Sequence, residues 1–281
     1  MRIFHKAGAV SALAIACALT AQPALAQDRG DDFDGPYIQI VGGLSTQNND
    51  GGDTLVFDTD GDGSYNDTVR TQTGSNAFSP GFCNGLAYGS TPGDGCRSDR
   101  DKLEYGARVG YDKRMGNFVV GALVEGMKSE AKDATTGFST TPASYAIERQ
   151  LDYAVSVRGR AGYTPGGGAL FYATGGASLA KIDHTFTTTN TANAFDPQRN
   201  GAHVWGWQVG GGAEVMLTDN ISMGLEYLYN RYHDYKYNVE VSQGSAPASN
   251  PFLLDSGTTR IKASDGNFDY HSLRATVGFR F

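Results

Sequence analysis

Between Leu273 and Phe281 apolar residues alternate strictly with polar or tiny ones. Leu273, Ala275, Val277, Phe279 and Phe281 fall on one side of an extended chain, and Arg274, Thr276, Gly278 and Arg280 on the other. This is the period of a strand whose two faces meet different solvents. An edge strand of this kind would pair with other chains in water. It is stable where the apolar face meets lipid and both edges are hydrogen-bonded within a closed barrel.

Seven more segments alternate in the same way, so the set covers roughly residues 36–46, 101–114, 118–130, 149–163, 169–186, 203–217, 221–240 and 267–281. Tight turns at 116–117, 164–168 and 218–220 take turns with long polar connections at 47–100, 131–148, 187–202 and 241–266. Short and long connections alternate in this way when one rim of an even-stranded up-and-down barrel carries turns and the other carries outward loops. The expectation is therefore an all-β fold: an eight-stranded antiparallel transmembrane β-barrel with long extracellular loops. Depth is legible too. One face of the second segment reads Tyr105, Ala107, Val109, Tyr111, and one face of the fourth runs from Tyr153 through Val155 and Val157 to Tyr163. Aromatics at the ends and small aliphatics between them match two interfacial girdles around a hydrocarbon band. Gly175 and Gly176 leave the register of the fifth strand open.

The start of the chain supplies an address. Arg2 and Lys6 precede an Ala-rich apolar run, and Ala24, Leu25 and Ala26 form a small-x-small cleavage site, so residues 1–26 read as a secretory signal peptide and 27–281 as the barrel domain. Cys17 lies midway in that run, where a small apolar residue explains it better than a lipid-attachment site. Loss of Arg2 and Lys6 deepens a formal net charge already at −7, which argues against nucleic acid as a partner. No later window reaches the length of a membrane helix, about 18 apolar residues. The mean hydropathy of −0.37 is compatible with strands that are apolar on one face only.

The opposite face decides between a membrane barrel and a soluble one, whose lumen is apolar. It carries Glu104, Arg108, Glu125, Asp152, Arg158, Arg160, Glu214, Glu226 and Arg274. An eight-stranded barrel has room for side chains and little else, so buried charges of both signs must pair. Two readings stay open, an ion-pair plug and a narrow polar pore.

With these features in place, the chain resembles the small Gram-negative outer-membrane barrels that include opacity-type and Omp25/Omp31-like porin-family proteins. The resemblance rests on Gly35 to Gln39, Leu170 to Ala177, Gly210 to Glu214, Leu225 to Tyr229 and the C-terminal strand. It implies the cell outer membrane as location, lipid and lipopolysaccharide as surroundings, and Phe281 as the signal read by the barrel-assembly machinery; an interfacial anchor is the alternative for Phe281. The family covers porin-like, adhesive and envelope-structural roles. A monomeric surface or envelope-structural protein with at most narrow porin activity is the leading expectation, ahead of a diffusion channel and of a lipid A-modifying enzyme.

Two motifs fall in the first long loop. Asp58, Asp60 and Asp62 followed by Gly63 match the start of a calcium loop, with Asp67 as a further oxygen donor. Position 12 is Val69 where a bidentate Glu belongs, so a solvated Gly/Asp loop competes with Ca²⁺ as the explanation; no other cofactor is expected. Cys83 and Cys96 enter an oxidising compartment together, and a disulfide is the economical reading. Catalysis finds little support. His271 and Ser272 are adjacent in a strand and point to opposite faces, and the histidines at 5, 184, 203, 233 and 271 make no metal-ligand spacing.

Overall fold

A computed structural model describes residues 32–47, 52–97, 102–166 and 168–281; the proposed signal peptide, Cys17 included, lies outside them. Eight strands form the barrel wall: β1 (Gly35–Thr46), β2 (Lys102–Met115), β3 (Phe118–Ser129), β4 (Ala143–Gly166), β5 (Ala169–Thr188), β6 (Ala202–Met216), β7 (Ile221–His233) and β8 (Asn267–Arg280). Each pairs antiparallel with its chain neighbours, and β8 returns to β1 with Arg280 opposite Tyr37 and Leu273 opposite Leu44. No edge is left open, as a lipid-embedded sheet requires.

The outer wall is apolar: Ile38, Val109, Val155, Phe171, Leu225 and Leu273 are all exposed. On β4 this band runs from Tyr153 to Tyr163, the length a tilted strand needs to cross hydrocarbon, about 9–11 residues. Inside, the narrow cross-section brings strands close together. A Cβ on Gly176 would meet the Val157 carbonyl oxygen at 2.0 Å, and one on Gly210 the Tyr227 oxygen at 1.9 Å, so inward glycine sets the curvature there. Gly176 faces Arg158 and Gly175 faces Gly159, which fixes the register of β5.

Strands β4 and β5 outrun the membrane. With 24 residues at about 3.3 Å each, β4 is about 80 Å long. Its outer part pairs with a strand at Lys132–Ser139 to make a hairpin, to which Gly81–Asn84 adds another strand. Segments Ala194–Gln198, Asn238–Ser242, Thr259–Ala263 and Leu55–Asp58 make a second, four-stranded sheet. The two sheets enclose Leu55, Phe57, Phe78, Tyr145, Val239 and Ile261, each buried. The long connections, expected as solvated loops, thus fold into a head with its own apolar core. The seventh segment, expected as one strand over 221–240, breaks after His233, and its end joins the head sheet.

A one-residue bulge links barrel to head. Lys181 of β5 faces Tyr153, but the next residue, Ile182, faces Leu151. Asp152 is left over, and the inward parity of β4 switches from even to odd numbers. Below the bulge Ala154, Ser156 and Arg158 point inward; above it Leu151, Arg149, Ile147 and Tyr145 do.

Candidate functional site

The lumen is filled in strata. At the periplasmic end Phe33 packs with Val119, Leu170, Tyr172 and Met216. Toward the head, Leu151, Ala180, Ile182, Tyr232, Phe268 and Tyr270 form a second apolar layer. Between them lies a charged layer in two linked groups.

The lower group is a ring of four. Arg160 pairs with Asp112 and, at 3.0 Å, with Glu214. Arg280 lies 2.9 Å from Asp112 and 3.0 Å from Glu214. The Tyr37 ring sits between the two guanidinium groups, 4.7 Å from each, where the cations meet its electron-rich faces. In the upper group Arg274 contacts Glu104 at 2.6 Å and Glu125 at 2.7 Å. Arg158 reaches Glu125 at 2.6 Å and Glu226 at 3.2 Å, and Arg108 reaches Glu226 at 2.8 Å. Gln39 ties the groups together, accepting from Arg108 Nε at 2.6 Å and donating to Glu214 at 2.9 Å. Tyr172 donates its hydroxyl to Glu226 at 2.9 Å.

Five guanidinium groups therefore meet five carboxylates, and their charges cancel within one buried layer. Balance matters, because each unpaired ion in such a layer costs several kcal/mol. Arginine suits the task since its planar fork contacts two acids at once. Asp112 is not among the sequence-derived lumen residues, yet it shares the strand parity of Arg108; Arg280 falls on the polar face with Arg274 but outside the set of lumen charges. Counting every charge of that parity along each strand adds both.

Asp152 is not part of this layer. It is the bulge residue, turned to the outer surface between Lys128 at 3.5 Å and Lys181 at 3.1 Å. The parity argument that placed it inside assumed unbroken pairing along β4.

A smaller polar layer separates barrel from head. Arg149 pairs with Asp133 and donates to the carbonyl oxygens of Asp265 at 3.1 Å and Asn267 at 2.9 Å. His184 Nε2 lies 2.8 Å from Asp234, and the Tyr237 ring stacks on the imidazole at 4.1 Å. Burial pushes the Tyr237 phenol up to about 12. The sequence gives no sign of the His184–Asp234 pair, because its partners come from β5 and the end of β7, which are not neighbours in the wall.

In the first loop, oxygens of Asp58, Asp60 and Asp67 lie within 4.8 Å of one another. Asp62 stands apart, its carboxylate accepting from the Ser64 backbone at 2.6 Å. Asp58 accepts from the backbone of Gly61 at 2.8 Å and Gly63 at 3.2 Å and lies 3.5 Å from Arg260. Val69 is buried in the head core. The three converging carboxylates are of the hard oxygen type that Ca²⁺ takes, while Asp58 also faces a guanidinium and accepts the backbone hydrogen bonds that hold the turn.

Cys83 and Cys96 form a disulfide with Cα atoms 6.4 Å apart, tying the Gly81–Asn84 strand to the small hairpin Leu86–Ala87 with Cys96–Arg97. Ser272 points inward and donates to Glu104 at 3.0 Å, while His271 lies outside, 2.6 Å from the Tyr227 hydroxyl. Phe281 is exposed beside Phe279, ring centroids 5.1 Å apart.

A family model described as the outer membrane protein beta-barrel domain matches residues 10–281. The chain belongs to that family. It is 26% identical over 130 residues to the 31 kDa outer-membrane immunogenic protein of Brucella melitensis, covering 44% of this chain and 51% of that one. It is 27% identical over 146 residues to the 22 kDa outer membrane protein of Rhizobium leguminosarum bv. viciae, covering 51% and 60%. The chain thus spans between half and two thirds of the length of these relatives. Among solved structures, the outer membrane protein OprG from Pseudomonas aeruginosa aligns with a TM-score of 0.47 and 13% identity, covering 88% of this chain and 96% of that one. The protein is an outer-membrane β-barrel protein and resides in the outer membrane.

Proposed function

We propose that this barrel is a closed membrane anchor that displays a folded head at the cell surface, an adhesive or envelope-structural role rather than a diffusion channel. The observation that carries this reading is the balanced ion-pair layer held between two apolar layers. Arg108, Arg158 and Arg274 are each at most 1% exposed, so their side chains occupy the cross-section instead of lining a path through it. Outer-membrane lipid and lipopolysaccharide are the surroundings that the aromatic ends of the outer wall fit, with Phe281 acting as the assembly signal and the protein working as a monomer. Against a lipid A-modifying activity at His271 and Ser272 stands their placement on opposite faces of β8.

Planar-bilayer recording of the refolded full chain tests the closed state. Only rare, small current fluctuations are expected. Large, stable channels, or uptake of sugar-sized solutes by loaded vesicles, overturn the proposal.

A further inference from the structure

All four outer connections contribute to one concave site beside the tip of the β4 hairpin. Its floor is apolar, with Phe78 from the first connection, Tyr145 from the second and Phe252 from the fourth. The ring centroids of these three lie 5.3–5.9 Å apart. Its rim carries hydroxyl and amide groups from Thr140, Thr141, Asn190, Thr191 and Asn250. The cavity measures about 200 Å³, and no Asp, Glu, Lys, Arg or His lines it.

We propose that this cavity binds a neutral hexopyranose ring, as at the end of a glycan. Size is the first argument. A cavity of about 150 Å³ holds benzene and drug-sized ligands take about 300–1,000 Å³, so the space here fits one substituted six-membered ring. Charge is the second. An anionic sugar, a phosphate or a carboxylate would be desolvated with no counter-charge to meet it. The rim is the third. Asn190 donates to the Tyr145 hydroxyl at 3.0 Å and Asn250 donates to Asn193 at 3.1 Å, so both amides are held in place before any ligand arrives. The hydroxyls of Thr140, Thr141 and Thr191 make no hydrogen bond to another described residue. A purely apolar guest would strip water from these groups and leave them unpaired, whereas a polyhydroxylated ring supplies partners at its edge and places its C–H face on the apolar floor. Convergence of several loops on one pre-formed pocket is the arrangement that recognition sites use.

The test uses the full chain refolded in a detergent without a sugar headgroup. Saturation-transfer NMR is recorded with methyl β-D-glucopyranoside, methyl N-acetyl-β-D-glucosaminide and, as an apolar ring, phenol. At least one pyranoside should bind with a Kd in about the millimolar range, as suits a single small ring. The double variant Thr141→Ala/Thr191→Ala should weaken it by about tenfold, the loss of two neutral hydrogen bonds. Thr191→Trp should abolish binding by filling the mouth. Both positions are exposed, so protease protection of the head and heat-shifted mobility of the barrel should both be retained, which separates loss of the site from loss of the fold. Binding of phenol without either pyranoside makes the cavity a socket for an aromatic peptide side chain and overturns the proposal. Binding of none of the three probes, or pyranoside binding untouched by Thr191→Trp, overturns it as well.

Discussion

Arg158 is the residue on which the charged layer depends most directly, because it bridges Glu125 and Glu226 with no exposed surface. Arg158→Ala leaves five carboxylates facing four guanidinium groups and is expected to cost about 3–5 kcal/mol, the penalty for breaking a buried pair from one side. The midpoint of urea unfolding in detergent micelles, followed by gel mobility, measures it. Lys128→Ala is the contrasting case. That side chain is more than half exposed beside Asp152, and an exposed pair contributes about 0–1 kcal/mol. Similar shifts for the two variants would refute the assignment of Asp152 to the outside. At this scale the sequence was most legible where alternation is unbroken. Arg108, Arg160 and Arg274 could be placed inward by parity alone, whereas Asp152 could not, since a bulge leaves no mark that counting by twos detects. Cross-lumen partnerships, such as Arg108 with Glu226, were also hidden, because they depend on how far the wall curves.

At the scale of a strand, curvature and covalent ties make separate predictions. Gly210→Ala places a Cβ against the Tyr227 carbonyl on the concave side and should lower refolding yield and thermal stability. Gly42→Ala, on the lipid face with nothing within 4 Å, should not; equal behaviour of the two would mean that inward glycines do not set the curvature. The disulfide ties down less than its place in a long connection suggests. It spans a sequence separation of 13, while Leu55, Phe57, Val69 and Phe78 are held by the head core. Reduction should therefore open the segment between Gly85 and Arg97 to chymotrypsin at the exposed Tyr88 and leave the rest of the first connection protected, as mass spectrometry of the fragments would reveal. Barrel strands were legible because lipid enforces a period of two over their whole length. The head strands were not: they are short, come from four different connections, and pair across long stretches of chain, so only the assembled core specifies them.

For the whole molecule, two bodies with opposite solvents share β4 and β5. The barrel is stabilised by a closed ladder in lipid, the head by an apolar core in water, and the polar layer of Arg149, Asp133, His184 and Asp234 separates them. Stability need not be uniform across such a molecule. In rising urea the head should lose protease protection first, while the barrel keeps its heat-shifted mobility; simultaneous loss would mean that the two unfold as one unit. The leftover residue at position 152 works like a shift of reading frame. Below it the wall is written in the code of a membrane protein, apolar outward, and above it in the code of a soluble one, apolar inward. Pairing straight through position 152 without the bulge would put the upper part of β4 in the wrong frame, turning Ile147 and Tyr145 to water and Glu148 and Gln150 into the core. Deleting Asp152 instead brings Leu151 next to Tyr153 and keeps Leu151, Arg149, Ile147 and Tyr145 inward by plain alternation. The Asp152-deleted protein should therefore insert, resist detergent and still carry a protease-resistant head; loss of the head alone would mean that the extra twist of the bulge, and not the change of parity, holds together the level where the two hydrophobic codes meet.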